Sequence, residues 1–428
     1  MAAIREGGEA VTSPRTPQRD VRTRSACATR RLLRALLLIA CVAGAPFLVT
    51  RAAADAANDR FDTIVPRLLH DFSIPGAGLA IVHDGKLVVA RGYGVADVAD
   101  HRPVEPTTPF LIASVSKSIT AATVLALLQQ GRLHLDDKVF EILNDIQPPP
   151  HGKEDPRIRD ITVRELLYHA GGWDRRVSGD PMTFGDRIEH ALGVEPPVSP
   201  RDLTRYMLGQ PLDFAPGTRT AYSNFGYMLL GMIIERVTGQ QYAPFVQATT
   251  LAPMGITAMV DGAGLESYVP NQARRYGPND WRAPQGGLAP VHFASGAWIG
   301  SAVDLARFMA VIGGSRPPQF LTPATFELML SSPPPPIPTR ANGSHFGMGW
   351  DVVQQSSDGT TYWKNGGVLG TTSWVEHRPK GIDWVLLLNG SLGKPRGPEL
   401  RSAFLHAIRH AIDTTSTWPD VDLFQRYQ

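Results

Sequence analysis

Strand-like runs stand at both ends of the body of this chain, and helical sequence fills the middle. Near the start, Gly78-Leu79-Ala80-Ile81-Val82-His83 and Lys86-Leu87-Val88-Val89-Ala90-Arg91 flank Asp84-Gly85. Two β-rich runs around Asp-Gly are a strong hairpin signal. The β pattern returns late, at Gly349–Val353, Thr361–Lys364, Thr372–His377 and Trp384–Asn389, with Pro379-Lys380-Gly381 as a turn. Strands from both ends can join one antiparallel sheet, with a helix from each terminus packed on it. The first of these helices is expected around Asn58–Asp71, capped by Asn58 and kinked or split at Pro66; Leu400, Phe404, Ile408 and Ile412 mark the last. The expected fold class is α+β. Its sheet region covers about 55–113 and 340–412, its mostly helical region covers about 114–310, and the cleft between the two is the natural place for a site.

Within the middle, Ser118–Gln130 is apolar nearly all round and reads as a helix buried in the core. Tyr227–Thr238 is a second such helix, ended by Gly239. Thr162-Val163-Arg164-Glu165 is a capping box, Ser301 caps a helix running through Ile312, and Thr322-Pro323 starts another. The stretch Gly171–Pro200 reads as a long loop with some helix.

Composition removes several function classes. The chain has 428 residues, 43% of them hydrophobic, which excludes disorder throughout. Its two cysteines, Cys27 and Cys41, both precede the body, so disulfides, cysteine metal sites and a catalytic thiol are excluded there. Residues 1–54 hold nine Arg, no Lys and three acids, which leaves the remainder at a net charge of −4. No basic stripe suited to phosphates is present, and nucleic acid is not expected as a partner. No HExxH pattern, phosphate loop or dinucleotide fingerprint occurs, so no metal or cofactor is expected.

The segment 1–54 reads as an export signal. Arg30, Arg31 and Arg34 precede the uncharged run Ala35–Val49, and small residues follow at Ala52-Ala53-Ala54-Asp55-Ala56. Cleavage near Ala54 or Ala56 would leave a body of 55–428 in the periplasm or outside the cell. Retention as a membrane anchor is a second reading, and lipidation at Cys41 in Leu38-Ile39-Ala40-Cys41 a third.

Three short elements carry chemistry. In Ser114-Val115-Ser116-Lys117, the spacing puts Ser114 and Lys117 on one helix face. A serine hydroxyl needs a neighbouring base to become a nucleophile, and a buried lysine near other cations loses its proton readily enough to serve. The helix N-terminus adds N–H groups for a developing oxyanion. In Tyr222-Ser223-Asn224, a tyrosine near two cations is drawn toward phenolate and can act as base or proton shuttle, and Asn224 can hold Lys117 or a substrate amide. In Lys364-Asn365-Gly366-Gly367, a lysine at a strand end beside a glycine turn lets substrate approach the backbone. There Lys364 would hold a substrate carboxylate or bias Tyr222, and the Gly367 N–H would join that of Ser114 as second oxyanion donor. His169 is read as structural. Trp173, Tyr276, Trp281 and Trp298 lie in loops that could wall the cleft, with packing the simpler account of each.

Together and in this order, the three elements resemble the serine hydrolases of the class C β-lactamase and penicillin-binding protein type. The resemblance spans about Phe61 to Ile412. It includes Phe110 through Lys117, Ile161 through His169, Phe214-Ala215-Pro216-Gly217, Ala294-Ser295-Gly296-Ala297, Phe346-Gly347-Met348-Gly349-Trp350, and Lys364 through Gly367 with Gly370. It implies a β-lactamase/transpeptidase-like fold and an acyl-enzyme mechanism. Ser114 would be the nucleophile, Lys117 and Tyr222 jointly the base, and Asn224, Lys364, Asn365, Gly366 and Gly367 the substrate-binding residues. The substrate would be a small-molecule or peptide ester or amide, β-lactam-like compounds included. Asn365 stands where the group has a threonine that helps bind a carboxylate, which weakens the expectation of strong β-lactamase activity. A non-catalytic binding or sensor protein on the same scaffold, and an acyl transferase, are the alternatives.

Overall fold

A computed structural model describes residues 60–428 except His151, Asp280, Pro284, Lys394, Pro395 and Gln428. The expected signal and Asn58 lie outside the described residues. The described residues form one compact unit. Helix α1 covers 60–72 and runs unbroken through Pro66. Strands β1 (Gly76–His83) and β2 (Lys86–Asp97) form the expected hairpin, and Asp84 and Gly85 both take positive φ, 49° and 75°. This is the twist that a two-residue hairpin turn requires.

The remaining elements follow in chain order. Strands β3 (Arg102–Pro103) and β4 (Phe110–Leu111) precede helices α2 (Ser116–Gln129), α3 (Val139–Ile142), α4 (Val163–Leu167), α5 (Gly185–Leu192), α6 (Pro200–Leu208), α7 (Asn224–Thr238) and α8 (Tyr242–Val246). Strands β5 (Val260–Asp261) and β6 (Trp298–Gly300) lead to helices α9 (Ala302–Ile312) and α10 (Pro323–Leu330). Strands β7 (His345–Gly347), β8 (Trp350–Ser356), β9 (Gly359–Val368), β10 (Thr371–Arg378) and β11 (Ile382–Leu388), then helix α11 (Arg396–Asp413), complete the order.

Eight strands form one sheet in the order β3-β2-β1-β11-β10-β9-β8-β7. The β1–β11 seam, Ala77 opposite Leu388 through His83 opposite Ile382, joins the two ends of the chain antiparallel. Alternation along these strands sorts side chains onto two faces. Leu79, Ile81, Trp384 and Leu386 pack with Phe61 and Val65 of α1 and with Phe404 and Ile408 of α11. Ala80, Val82, Val385 and Leu387 face the opposite core, with Leu305 and Met309 of α9. Coverage on both faces explains why β1 and β11 read as continuous apolar runs rather than alternating ones.

The middle is helical as expected, with a correction. Between α8 and α9 the chain forms irregular structure and the strands β5 and β6, which join β4 from before α2 in a small sheet, β4-β6-β5, and Trp298 sits buried in β6 rather than in a loop. A second correction concerns Lys364-Asn365-Gly366-Gly367, which lies inside β9; the turn comes after it, at Gly370, with φ 85°. The glycines admit a neighbour rather than break the strand. No helix among the described residues is long and apolar enough to cross a membrane.

Candidate active site

Ser114 lies in a 3-10 turn, Ala113–Val115, that runs directly into α2. Ala113 before it has φ 47°, a left-handed conformation costing about 1–3 kcal/mol for a residue with a Cβ. Hydrogen bonds hold the turn on every side. Ser116 Oγ donates to the Ala113 carbonyl at 2.7 Å, Ser373 Oγ donates to the Ile112 carbonyl at 2.6 Å, and the Ile112 N–H donates to the Trp298 carbonyl at 2.9 Å.

Helix α2 is buried along most of its length, and Lys117, its second residue, is wholly enclosed. Its Nζ lies 3.2 Å from Ser114 Oγ and 2.7 Å from Asn224 Oδ1, and it also contacts the Ser295 carbonyl. None of these three partners is a carboxylate. Burial is the main force holding Lys117 well below the ordinary lysine range, and the charge of Lys364 adds to it.

Tyr222 and Asn224 come from the start of α7, where Ser223 Oγ caps the helix by accepting from the Gly226 N–H at 3.1 Å. The cap sets the two flanking side chains. Tyr222 donates its hydroxyl to Ser114 Oγ at 2.7 Å, and Asn224 Nδ2 donates to Asp180 Oδ2 at 2.6 Å. The cations Lys117, Lys364 and Arg175 stand 5.0, 5.0 and 4.8 Å from the centre of the Tyr222 ring. The phenol nonetheless does not move toward phenolate as the sequence suggests. Tyr222 keeps some surface open to solvent, but enclosure by protein pushes its phenol well above the ordinary value, and the Asp351 carboxylate adds to that.

His169 is structural, as expected, and has a specific task. It is buried, holds φ 59°, and accepts the Ser223 N–H on Nδ1 at 3.2 Å. Its ring lies 4.6 Å from the Tyr222 ring and 4.9 Å from the Tyr227 ring. Burial, then the charges of Lys364 and Lys117, hold it well below the usual histidine range and keep it neutral.

Strand β9 closes the site. Lys364 is fully buried, with Nζ donating to Asp351 Oδ1 at 2.6 Å, and the Asn365 N–H donates to Asp351 Oδ2 at 3.2 Å. At Gly366 an added Cβ would stand 2.4 Å from the Ile112 carbonyl oxygen and 2.9 Å from the Ser114 nitrogen. This close approach is what makes glycine necessary there. At Gly367 nothing lies within 4 Å of that position, so the strand is open toward the cleft. Strand β8 pairs with β9 only as far as Trp363. The Asn365 N–H faces that unpaired side, and the two-residue period puts the Gly367 N–H on the same side, beside Ser114.

The structure thus brings Ser114, Lys117, Tyr222, Asn224, Lys364, Asn365, Gly366 and Gly367 together around one point. Sequence reasoning missed Asp351, Asp180, Arg175 and the Ser295 carbonyl. Among the described residues there is no cluster of side chains that could hold a metal ion. Gly366→Ala forces β9 away from the Ser114 turn. It should lower stability by about 1–3 kcal/mol, seen as a lower urea midpoint, and cut Ser114 reactivity far more than that loss explains.

Comparison with known proteins agrees with this geometry. A profile of the Beta-lactamase family matches residues 61–407. Protein flp of Staphylococcus aureus (strain COL) is 33% identical over 202 residues, a match covering 47% of this chain and 37% of that relative. The chain therefore spans well under half the length of that protein. Esterase EstB of Burkholderia gladioli is 29% identical over 374 residues, covering 79% of this chain and 92% of EstB. The solved structure of EstCE1, described as a hydrolase with promiscuous acyltransferase activity, shares the fold at a TM-score of 0.66 and 23% identity, over 82% of this chain and 99% of that one. With a profile match over most of its length, a β-lactamase/transpeptidase-like α+β fold and the Ser-x-x-Lys turn at its centre, the chain belongs to the Beta-lactamase family of serine hydrolases.

Proposed function

We propose that this protein hydrolyses esters or amides through an acyl-enzyme on Ser114. The observation that carries this reading is the placement of Ser114 Oγ between the Tyr222 hydroxyl at 2.7 Å and the buried Lys117 amine at 3.2 Å. A neutral amine has two N–H groups and one lone pair. Asn224 Oδ1 and the Ser295 carbonyl accept the two N–H groups, so the lone pair faces Ser114. Tyr222 keeps its proton and donates to Oγ, which turns the Ser114 proton toward Lys117.

The steps follow from that arrangement. Lys117 takes the Ser114 proton as Oγ attacks the substrate carbonyl carbon. The Ser114 and Gly367 N–H groups receive the oxyanion, an interaction worth about 3 kcal/mol per donor in comparable sites. The carbon–leaving group bond breaks, the leaving alkoxide or amine takes the proton back from Lys117, and the acyl group stays on Oγ. Water then enters, gives a proton to Lys117 and attacks the ester, and Ser114 regains its proton as the acid departs. A binding or sensor protein would need none of this alignment. An amine in place of water would give acyl transfer, the promiscuous activity in the description of EstCE1, and product analysis with added D-amino acids separates the two outcomes.

Intact-mass measurement after treatment with a fluorophosphonate should show one adduct in the folded protein and none in Ser114→Ala. A p-nitrophenyl ester should be turned over at least ~10³-fold more slowly by that variant. A folded protein that takes no adduct and cleaves no ester would remove the hydrolase reading.

The acid limb of kcat/KM should report Lys117. Activity should rise with pH as the amine loses its proton, with a midpoint well below 10.5. Lys364→Met removes the cation that, after burial, holds Lys117 down, and leaves Asp351 to favour the ammonium. The midpoint should therefore move to higher pH, and an unchanged or lower midpoint would contradict the assignment.

We further propose that residues 1–54 direct export to the periplasm or beyond. The basic cluster and the uncharged run Ala35–Val49 support this. N-terminal sequencing of the protein from cell fractions tests it: a start after Ala54 or Ala56 in the exported fraction is expected, and an intact Met1 form confined to the cytosol would refute it.

A further inference from the structure

The sequence offers Lys364 as the seat for a substrate carboxylate, and in the structure a carboxylate already sits there. It is the protein's own. Asp351 accepts from Lys364 Nζ at 2.6 Å with one oxygen and from the Asn365 N–H at 3.2 Å with the other. An ammonium and a backbone N–H on an open strand edge are the pair of donors a docking carboxylate would use.

Asp351 is held in that place by packing rather than left there as a loose surface acid. Its side chain is 15% exposed. The preceding Trp350 is fully buried. Gly349, with φ 87°, bends the chain so closely over α2 that an added Cβ would meet Ala121 Cβ at 2.8 Å, and the Gly349 carbonyl accepts from Ser118 Oγ at 2.8 Å. The element that carries Asp351 is thus pinned to the helix that carries Lys117. Of the other charges facing the site, Asp180 is bound to Asn224, and Arg175 disfavours the Lys364 ammonium only as the last of its influences, from an exposed position against the Tyr222 ring where water screens it.

We propose that Asp351 is a specificity-determining residue. It fills the carboxylate seat on Lys364, so the site takes esters and amides that carry no carboxylate beside the scissile bond. A substrate with one there would bring two carboxylates together on a single buried ammonium, and juxtaposed like charges discriminate strongly. This inference rests on the hydrolase reading and names the substrate class for it.

The test uses matched esters that differ only in a carboxylate or its carboxamide isostere, the group placed on the leaving phenol in one pair and on the acyl chain in another. Wild-type protein should prefer the carboxamide in kcat/KM by roughly tenfold or more in at least one pair. Asp351→Asn, which keeps the shape and frees the ammonium, should bring that ratio to one or invert it. If Asp351→Asn does not fold, the double variant Asp351→Asn with Lys364→Met, which buries neither charge, should bring the ratio near one. Wild type turning over both carboxylates as fast as the carboxamides would overturn the proposal, as would a ratio unchanged in the variants. Both of those results require turnover, whereas failure of the hydrolase reading would appear as no turnover of any ester and no Ser114 adduct.

Discussion

A lysine amine sealed inside the protein, with only neutral oxygens around it, is the constraint on which the rest of the site depends. Lys117 is enclosed because α2 is buried on nearly every side, and its contacts are Ser114, Asn224 and the Ser295 carbonyl. A charged ammonium in that place would cost several kcal/mol, so the lysine sheds its proton more readily than it would in water. That burial has a thermodynamic signature. The unfolded chain holds the proton up to about 10.5, whereas the folded chain releases it well below. Folding stability therefore rises with pH across that interval, and at lower pH the protein carries the full cost of keeping its base.

The scaffold supplies the remaining geometry through local strain and close approach. Ala113 at φ 47° and His169 at φ 59° are non-glycine residues in left-handed conformations, one presenting Ser114 and the other supporting Tyr222 from behind. Hydrogen bonds from Ser116 and Ser373 offset part of that cost at the Ser114 turn. Gly366 lets β9 approach the same turn, which connects the sheet built from both ends of the chain to the helical half. The site therefore lies where the inner face of the sheet and the helices packed on it share one core, and each contributes part of the chemistry.

Much of this is legible in the sequence, where local rules decide the outcome. The Asp84-Gly85 hairpin, the capping boxes at Thr162 and Ser301 and the buried, mostly apolar α2 follow from turn chemistry and periodicity, and the structure shows each. Ser114, Lys117, Tyr222, Asn224 and Lys364 could be singled out because side-chain chemistry and spacing mark them together. What stayed hidden depends on tertiary contact. Asp351 lies 13 residues before Lys364 with no local signal, and only the β8–β9 pairing brings them together. Asp180 and Arg175 come from an irregular stretch whose path no periodicity fixes. The glycines after Lys364 look like a turn until the Ser114 segment that fills the space beside them is seen. The direction of the Tyr222 shift escaped for a similar reason: nearby cations can be guessed from sequence, but the depth of burial that outweighs them cannot.

The central claim is that Lys117 gives up its proton well below the ordinary lysine range. Carbon-13 NMR on protein labelled at lysine Cε measures this directly, since the chain has seven lysines and Lys117→Met identifies the resonance. The account predicts one lysine signal, absent in Lys117→Met, that reaches the shift of an uncharged amine at a pH well below the others. A Lys117 signal that stays in the ammonium position up to pH 10 would contradict it and pass the role of base to another group.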